Sequence, residues 1–332
     1  MTSAPRVTVL VPARNEAAHI ETCLEAIAAQ NYPAHRLEVL VVDGNSTDGT
    51  PDRAAEAIER LDFHLGGVVV NAEGSTPSNL NLGLALATGE IVCRVDARSL
   101  IPAHYVSRCV ELLTSRPDVA VVGGAQVAVP PRDDFVGTGI ARALNNRWGM
   151  GFSRYRRGAK SGPADTVYLG AFRTADLRAA GGWDHRLPTN QDFDLNRRLG
   201  SRGLIWFDSS LEVGYVPRSN LPDLYRQYRR FGSWKMRYWR VTNDRPRPRQ
   251  VVLITAPLGL AAALAIAVRQ PQTRGPAVLA LAAAGVAVEV FGAEHPERAP
   301  LTSHVVATAA LSAVSAGWLL GIWSELVRRH GD

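Results

Sequence analysis

The sequence has little cysteine and no internal repeat. Cys23, Cys93 and Cys109 are its three cysteines among 332 residues. Each lies in an apolar pattern and their spacing matches no metal site, so we expect reduced core thiols rather than a disulfide framework. An apolar run near the N-terminus, residues 7–11, is too short for the core of a signal peptide and is typical of a strand. We therefore expect no signal peptide, and we expect the N-terminal part to stay in the cytoplasm.

The excess of positive charge is local. The formal net charge is +6, but basic residues cluster before the first long apolar run: Arg226, Arg229, Arg230, Lys235, Arg237, Arg240, Arg245, Arg247 and Arg249. Aromatic residues are interleaved with them: Tyr225, Tyr228, Trp234, Tyr238 and Trp239. This mixture is typical of a helix at a membrane surface. We expect a membrane partner and no nucleic acid, although the same mixture could bind single strands.

Three runs near the C-terminus are rich in Ala, Leu and Val, namely residues 251–268, 276–292 and 305–327. Glu289 and Glu325 are their only acidic residues, and their lengths are near the roughly 17–25 residues that span a bilayer. A buried helical hairpin in a soluble domain is the alternative for the first two runs. We predict about three transmembrane helices and a multi-pass protein of the cell membrane.

These patterns divide the chain into three parts. Residues 1–220 are predicted to form a cytoplasmic catalytic domain, and residues 221–249 a basic, aromatic interfacial helix and linker. Residues 250–332 are predicted to form the membrane domain.

Strands and helices alternate in the first half of the chain. Apolar runs at residues 7–11, 37–42, 68–70 and 90–96 are separated by helical patterns, which predicts a mostly parallel, Rossmann-like α/β sheet flanked by helices. The pattern loosens between residues 123 and 165. The basic, glycine-rich part of that stretch is either a loop that orders over a diphosphate or an ordinary solvated loop.

Three of these strands end in polar residues, at the edge where α/β enzymes bind ligands. The residues are Pro12, Arg14, Asn15 and Glu16 after the first strand, Asp43 after the second, and Asp96 and Arg98 after the fourth. Asp43 suits hydrogen bonds to a base or ribose, and the alternative is a residue that only forms an Asx-turn. Asp96 suits a divalent cation, since one or two carboxylates plus substrate phosphates are a common Mg²⁺ or Mn²⁺ set.

Together with later blocks, these residues resemble family 2 glycosyltransferases, inverting enzymes with the GT-A fold, and most closely the membrane-associated succinoglycan and exopolysaccharide branch. The resemblance covers roughly residues 5–240. The later blocks are Asn81-Leu82-Gly83, Ala87-Thr88-Gly89-Glu90, Gly170-Ala171-Phe172-Arg173, Gly181-Gly182-Trp183-Asp184, residues 190–199, and Gln227-Tyr228-Arg229-Arg230-Phe231.

The resemblance implies a nucleotide-sugar site and a metal. It assigns Asp43 to the nucleobase and Asp96 to the first acid of the D-x-D motif, with Mn²⁺ or Mg²⁺ as cofactor. The remaining nucleotide-sugar contacts are Pro12, Arg14, Glu16 and Arg98. Arg98 replaces the usual second acid, so its guanidinium either contacts the diphosphate or points away while Asp96 and phosphate oxygens hold the ion.

The resemblance also implies a base and an acceptor side. Asp192 occupies the position of the general base, and a carboxylate at a helix start can take a proton from an acceptor hydroxyl. A plain helix N-terminal acid is the alternative. Gln191, which replaces the usual Glu, is assigned to the acceptor side. Gln227, Arg230 and Trp234 resemble the Q-x-x-R-W motif and are assigned to the acceptor site at the membrane.

We therefore expect an inverting transferase that moves a sugar from a UDP- or GDP-sugar to a lipid-linked or growing glycan acceptor in cell-envelope synthesis. A polyprenyl-phosphate sugar synthase and a non-catalytic scaffold with the same fold are the alternatives. A nucleotidyltransferase fits less well, because it requires a glycine-rich basic loop near the first strand. A glycosidase fits less well still, because it requires two facing carboxylates and no nucleotide site.

Overall fold

The chain divides into two compact units. A computed structural model describes residues 4–146, 160–246, 250–252, 254–255, 269, 271–292 and 300–328. The first unit comprises Met1–Val129 and Phe152–Val216, and the second comprises Pro130–Gly151 and Pro217–Asp332. The predicted division into residues 1–220, 221–249 and 250–332 stays a prediction.

The first unit alternates strands and helices. Its strands are β1 (Val7–Ala13), β2 (Leu37–Asp43), β3 (Leu65–Val70), β4 (Ile91–Arg94), β5 (Ser99–Leu100), β6 (Val119–Ala128), β7 (Gly162–Pro163), β8 (Tyr168–Arg173) and β9 (Leu204–Tyr215). Its helices are α1 (Ile20–Ala28), α2 (Thr50–Arg60), α3 (Thr76–Leu86), α4 (Tyr105–Ser115), α6 (Thr174–Ala179) and α7 (Gln191–Gly200). This is the α/β architecture that the alternating pattern predicts.

The described strands form one sheet in the order β3-β2-β1-β4-β8-β6-β9-β5, with β7 paired to β9. The pairs β1–β2, β2–β3 and β1–β4 are parallel, as the sequence predicts. β8, however, lies between β4 and β6 and runs antiparallel to both. The sheet is therefore mixed rather than mostly parallel, because a strand from late in the chain fills the space between two earlier ones.

Helices cover both faces of the sheet. Successive residues of a strand point to opposite faces, so Val9 and Val11 of β1 join one apolar cluster while Leu10 joins the other. α1, α2 and α4 contribute to the first cluster. α3, α6 and α7 contribute to the second. All three cysteines are buried free thiols, as predicted, and burial raises the pKa of Cys23 well above its usual value.

The second unit is helical where it is described. It contains α5 (Phe135–Asn145), α8 (Leu221–Thr242), α9 (Pro271–Gly292) and α10 (Leu301–Val327). α10 packs along α8 and against α5. Glycines allow the helices to approach closely, since a Cβ added at Gly232 of α8 would lie 2.0 Å from the Trp318 carbonyl oxygen of α10. α5 was missed in the sequence, where residues 123–165 resembled a loop.

The two acidic residues in the apolar runs are buried and paired. Arg142 of α5 donates to Glu289 of α9 at 2.9 Å. Arg237 of α8 donates to Glu325 of α10 at 2.8 Å. Each carboxylate thus has a guanidinium partner from another helix, which offsets the cost of removing it from water.

Among the described residues, α10 is the one helix found to be long and apolar enough to cross a membrane, with 27 residues and a mean hydropathy of 1.9 over an 18-residue stretch. The predicted run at residues 251–268 lies almost entirely outside the described residues. The run at residues 276–292 lies within α9. One candidate span is therefore found, and the multi-pass arrangement stays a prediction.

Candidate active site

The polar ends of β1, β2 and β4 lie side by side. Ala13 pairs with Asp43, and Leu10 pairs with Arg94, in the parallel registers β1–β2 and β1–β4. Because these strands run in the same direction, the residues that follow them meet at one edge of the sheet. The structure thereby brings together the loop after β1, the loop after β2, and residues 94–98.

The loop after β1 is fixed to the loop after β2. Asn15 has a positive φ of 54°, and its side-chain oxygen accepts from the Thr47 N–H at 2.9 Å. The Glu16 N–H donates to the Thr50 hydroxyl at 2.9 Å. Burial tends to raise the pKa of Asp48, but hydrogen bonds from Thr50 and Ala17 outweigh it and lower that pKa. This hydrogen bonding holds Glu16 in one position at the edge of the sheet.

Asp43 is almost fully buried at the end of β2. Its residue exposure is 1%, and its carboxylate accepts from the Ser46 N–H at 2.9 Å and from the Ser46 hydroxyl at 2.5 Å. This is the Asx-type turn that was the alternative for this residue. Its contact with a nucleobase stays a prediction.

Arg14 and Pro12 flank this region. The Arg14 guanidinium donates to the Gly74 carbonyl at 3.1 Å, on the segment between β3 and α3. Arg14 is otherwise exposed, and Pro12 is half-buried. Both lie at the same edge as Asp43, so these three of the six residues predicted to contact the nucleotide sugar are grouped.

Asp96 lies just beyond the end of β4, and Arg94 is its main partner. Arg94 Nε donates to Asp96 Oδ1 at 2.7 Å, and Nη2 donates to Oδ2 at 3.3 Å. The Asp96 side chain is 34% exposed, whereas that of Arg94 is 5% exposed. Asp96 therefore presents a carboxylate to solvent from a fixed position.

Arg98 is bound to a carboxylate of the protein. Its Nε lies 2.8 Å from Glu16 Oε2, and both side chains are largely buried. The cation that replaces the second acid of the motif is thus neutralised by Glu16, which the sequence assigned to the same site. This pairing was not foreseen.

Asp192 lies in the first turn of α7. α7 begins at Gln191, which is buried, after Asn190 with a positive φ of 68°. The Asp192 side chain is 38% exposed, and Arg94 Nη1 donates to its Oδ1. Asp194 is buried and accepts from Arg198 at 2.8 Å. The structure therefore joins Asp192 to Asp96 through one guanidinium.

Arg94 is the site residue that sequence reasoning missed. The signal was present, since a charged residue in the apolar stretch Ile91–Arg94 is unusual for a strand buried on both faces.

Gln227, Arg230 and Trp234 lie on α8 in the second unit. Gln227 and Trp234 are half-buried and Arg230 is exposed. The Arg237 guanidinium lies 4.9 Å from the Trp234 ring centroid, which is a cation–π distance. Their assignment to the acceptor side stays a prediction.

The residues around Asp96 suit a divalent cation whose coordination comes mainly from the phosphate oxygens of a bound substrate. Within the ranges that the structure describes, no group of three or more His, Cys, Asp or Glu side chains is arranged to hold a metal ion. A single carboxylate with a third of its side chain exposed suits Mn²⁺ or Mg²⁺ when phosphate oxygens complete the coordination. Asp96 is the residue that offers this.

Known proteins resemble the chain over most of its length. The family model described as Glycosyl transferase family 2 matches residues 8–176. The succinoglycan biosynthesis protein ExoA of Rhizobium meliloti (strain 1021) is 29% identical over 327 residues, which cover 96% of this chain and 94% of ExoA. The beta-monoglucosyldiacylglycerol synthase of Nostoc sp. (strain PCC 7120 / SAG 25.82 / UTEX 2576) is 30% identical over 59% of this chain and 42% of its own length.

Solved structures also resemble the chain. The mannosyltransferase PcManGT from Pyrobaculum calidifontis, in complex with GDP-Man and Mn²⁺, has a TM-score of 0.66 and 26% identity, covering 99% of this chain and 89% of its own. GalNAc-T7 with UDP, GalNAc and Mn²⁺ shares the fold, at a TM-score of 0.52 and 13% identity over 66% of this chain and 45% of its own.

Proposed function

We propose a mechanism and substrate classes for this chain on the premise that it belongs to glycosyl transferase family 2 and is a glycosyltransferase that uses a nucleotide-sugar donor. The presence of both Asp96 and Asp192 at one edge of the sheet argues against the non-catalytic alternative.

Asp192 is the general base of a single in-line displacement, so the reaction inverts the anomeric carbon. The observation that carries this proposal is the guanidinium of Arg94, which contacts both Asp192 and Asp96. The base and the proposed metal-binding carboxylate thus contact different nitrogens of one planar group. A donor whose diphosphate is bound through a cation at Asp96 would have its anomeric carbon within reach of an acceptor hydroxyl held by Asp192.

Asp96 holds a divalent cation together with the diphosphate of the donor. Such a cation neutralises the charge that develops on the leaving group. Asp96 supplies one oxygen ligand, and Arg94 fixes the orientation of that carboxylate. Glu16 pairs with Arg98 beside the site, so Arg98 adds little net positive charge near the diphosphate and does not replace the metal.

Pro12, Arg14 and Asp43 bind the nucleotide of a UDP- or GDP-sugar. Their grouping at the ends of β1 and β2 supports this, and the match to a mannosyltransferase in complex with GDP-Man supports a guanine nucleotide as one candidate. To bind the base, the Asp43 carboxylate would either give up its hydrogen bonds from Ser46 or accept from Ser46 and the base together.

The acceptor is a lipid-linked or growing glycan at the cell membrane. The apolar helix α10 and the basic, aromatic helix α8 support attachment to the cytoplasmic face of a membrane. We extend this to a multi-pass membrane protein in which Gln191, Gln227, Arg230 and Trp234 serve the acceptor.

A thermal-shift panel tests the donor assignment. Full-length protein in detergent is heated with UDP-, GDP- and dTDP-sugars, each with and without Mn²⁺. One nucleotide class should stabilise the fold in a Mn²⁺-dependent manner, by about 2.7 kcal/mol at a ligand concentration 100 times its Kd. AMP with Mn²⁺ is the control for nonspecific stabilisation. Equal shifts for all nucleotides, or for none, would contradict the proposed nucleotide site.

A further inference from the structure

Arg94 carries a positive charge in a buried strand, where a charge without a partner is unfavourable. All four residues of β4 are buried, and the Arg94 side chain is 5% exposed. Removing a guanidinium from water is costly unless hydrogen-bonded anions compensate. Asp96 and Asp192 provide that compensation, and both have a role in the proposed reaction.

The contacts of Arg94 depend on the planar, forked shape of its guanidinium. Nε and Nη2 form a fork on the two oxygens of Asp96, and Nη1 turns to Asp192 Oδ1. A guanidinium presents its donors in one rigid plane, whereas a lysine ammonium is a point charge on a flexible stem. Of the protein side chains, arginine is therefore suited to hold two carboxylates at a defined separation.

Rigid elements support both ends of this bridge. Arg94 is held in register with Leu10 of β1. Asp192 belongs to α7, whose Leu195 and Leu199 are fully buried against the sheet. Without a cation between them, the two carboxylates would repel each other.

We propose that Arg94 is a positioning residue for sugar transfer, because its guanidinium holds the donor-side carboxylate of Asp96 and the base Asp192 at a fixed separation. The inference rests on the roles proposed above for those two residues. Since Arg94 binds Asp192 through Oδ1, Oδ2 is the oxygen that takes the proton of the acceptor hydroxyl. A displacement of about 1 Å in such an arrangement costs on the order of 10²-fold in rate.

Arg94→Lys tests this inference, because it keeps the charge and removes the fork. Arg108→Lys is the matched control. Arg108 also binds a buried carboxylate, that of Asp208, at 2.9 Å, and both residues lie outside the site. We expect Arg94→Lys to lower kcat by about 10²-fold, with a melting temperature and an acceptor KM within the range of the control. Donor affinity is measured separately by calorimetry with Mn²⁺, and it should fall because Asp96 loses its fixed orientation.

A double-mutant cycle separates positioning from a structural role. If Arg94 acts through Asp192, Arg94→Lys should slow the Asp192→Asn enzyme far less than it slows the wild type. Full additivity of the two effects, or a wild-type kcat in Arg94→Lys, would overturn the inference. Should Arg94→Lys not fold, Arg94→Gln replaces it in the same cycle. Absence of transfer by the wild-type enzyme would instead count against the proposed function itself.

Discussion

An Asp192→Asn variant is expected to transfer sugar to a hydroxyl acceptor at least about 10²-fold more slowly than the wild type, which is the scale of general base catalysis. Asparagine keeps the size of the side chain and can still accept from Arg94, but it cannot take a proton. The melting temperature and donor affinity should therefore stay close to those of the wild type. Steady-state rates with saturating donor measure the effect.

Asp176→Asn is the control for this experiment. Asp176 is another half-buried acid in the first turn of a helix of the same unit, and it pairs with Arg173 at 3.4 Å. Its amide variant should transfer at the wild-type rate. Near-normal turnover in Asp192→Asn would remove Asp192 from the mechanism. It would favour a polyprenyl-phosphate acceptor, because a phosphate nucleophile scarcely needs a base.

Removal of divalent metal is the second large effect we expect. Excess EDTA should lower transfer by about 10³-fold, since a bound cation supplies several kcal/mol of charge stabilisation at a leaving group. Added Mn²⁺ or Mg²⁺ should restore it. The reason lies at Asp96, whose carboxylate would repel an anionic diphosphate at close range unless a cation lies between them.

Arg98→Ala shows whether a metal ion or the Arg98 guanidinium supplies the positive charge beside Asp96. Because Arg98 is already paired with Glu16, its loss should weaken donor binding only modestly and leave the metal requirement intact. Calorimetry with the nucleotide donor, with and without EDTA, gives the readout. Full activity in EDTA together with lost donor binding in Arg98→Ala would mean that the guanidinium has replaced the metal.

The first half of the fold was predictable because local patterns and strand order agree there. β1, β2 and β4 are apolar runs that end in polar residues, and parallel strands joined by helices bring those ends to one edge. The antiparallel insertion of β8 was not predictable in this way. Its neighbours are set by long-range packing against β4 and β6, and no local signal encodes that choice.

Two helices show where composition misleads. α5 contains Gly137 and Gly139, which favour a loop when the sequence is taken alone. A Cβ added at Gly139 would lie 2.6 Å from the Val306 side chain of α10, so the glycine serves close helix packing. α10 has the composition of an isolated span, but one face of it packs against α8, whose own charged residues were predicted to lie at a membrane surface.

The pairing of acids with cations at the site was not predictable from the sequence, and the roles assigned there to Asp96 and Asp192 stay predictions. Asp96 and Asp192 stand in recognisable sequence blocks, and the structure joins them through Arg94. The roles of Arg94 and of the Arg98–Glu16 pair depend on which carboxylate each guanidinium reaches. That is a property of the folded chain, because the paired residues are 82 and 98 positions apart.

The anomeric configuration of the product tests the central claim most directly. NMR of the product formed by the full-length enzyme from an α-linked nucleotide sugar, identified by the donor panel, reports whether one displacement takes place. A single attack by a hydroxyl activated at Asp192 predicts a β-linked product. An α-linked product would contradict the account, because retention requires a different course of reaction from the one that Asp192 and Asp96 are proposed to support.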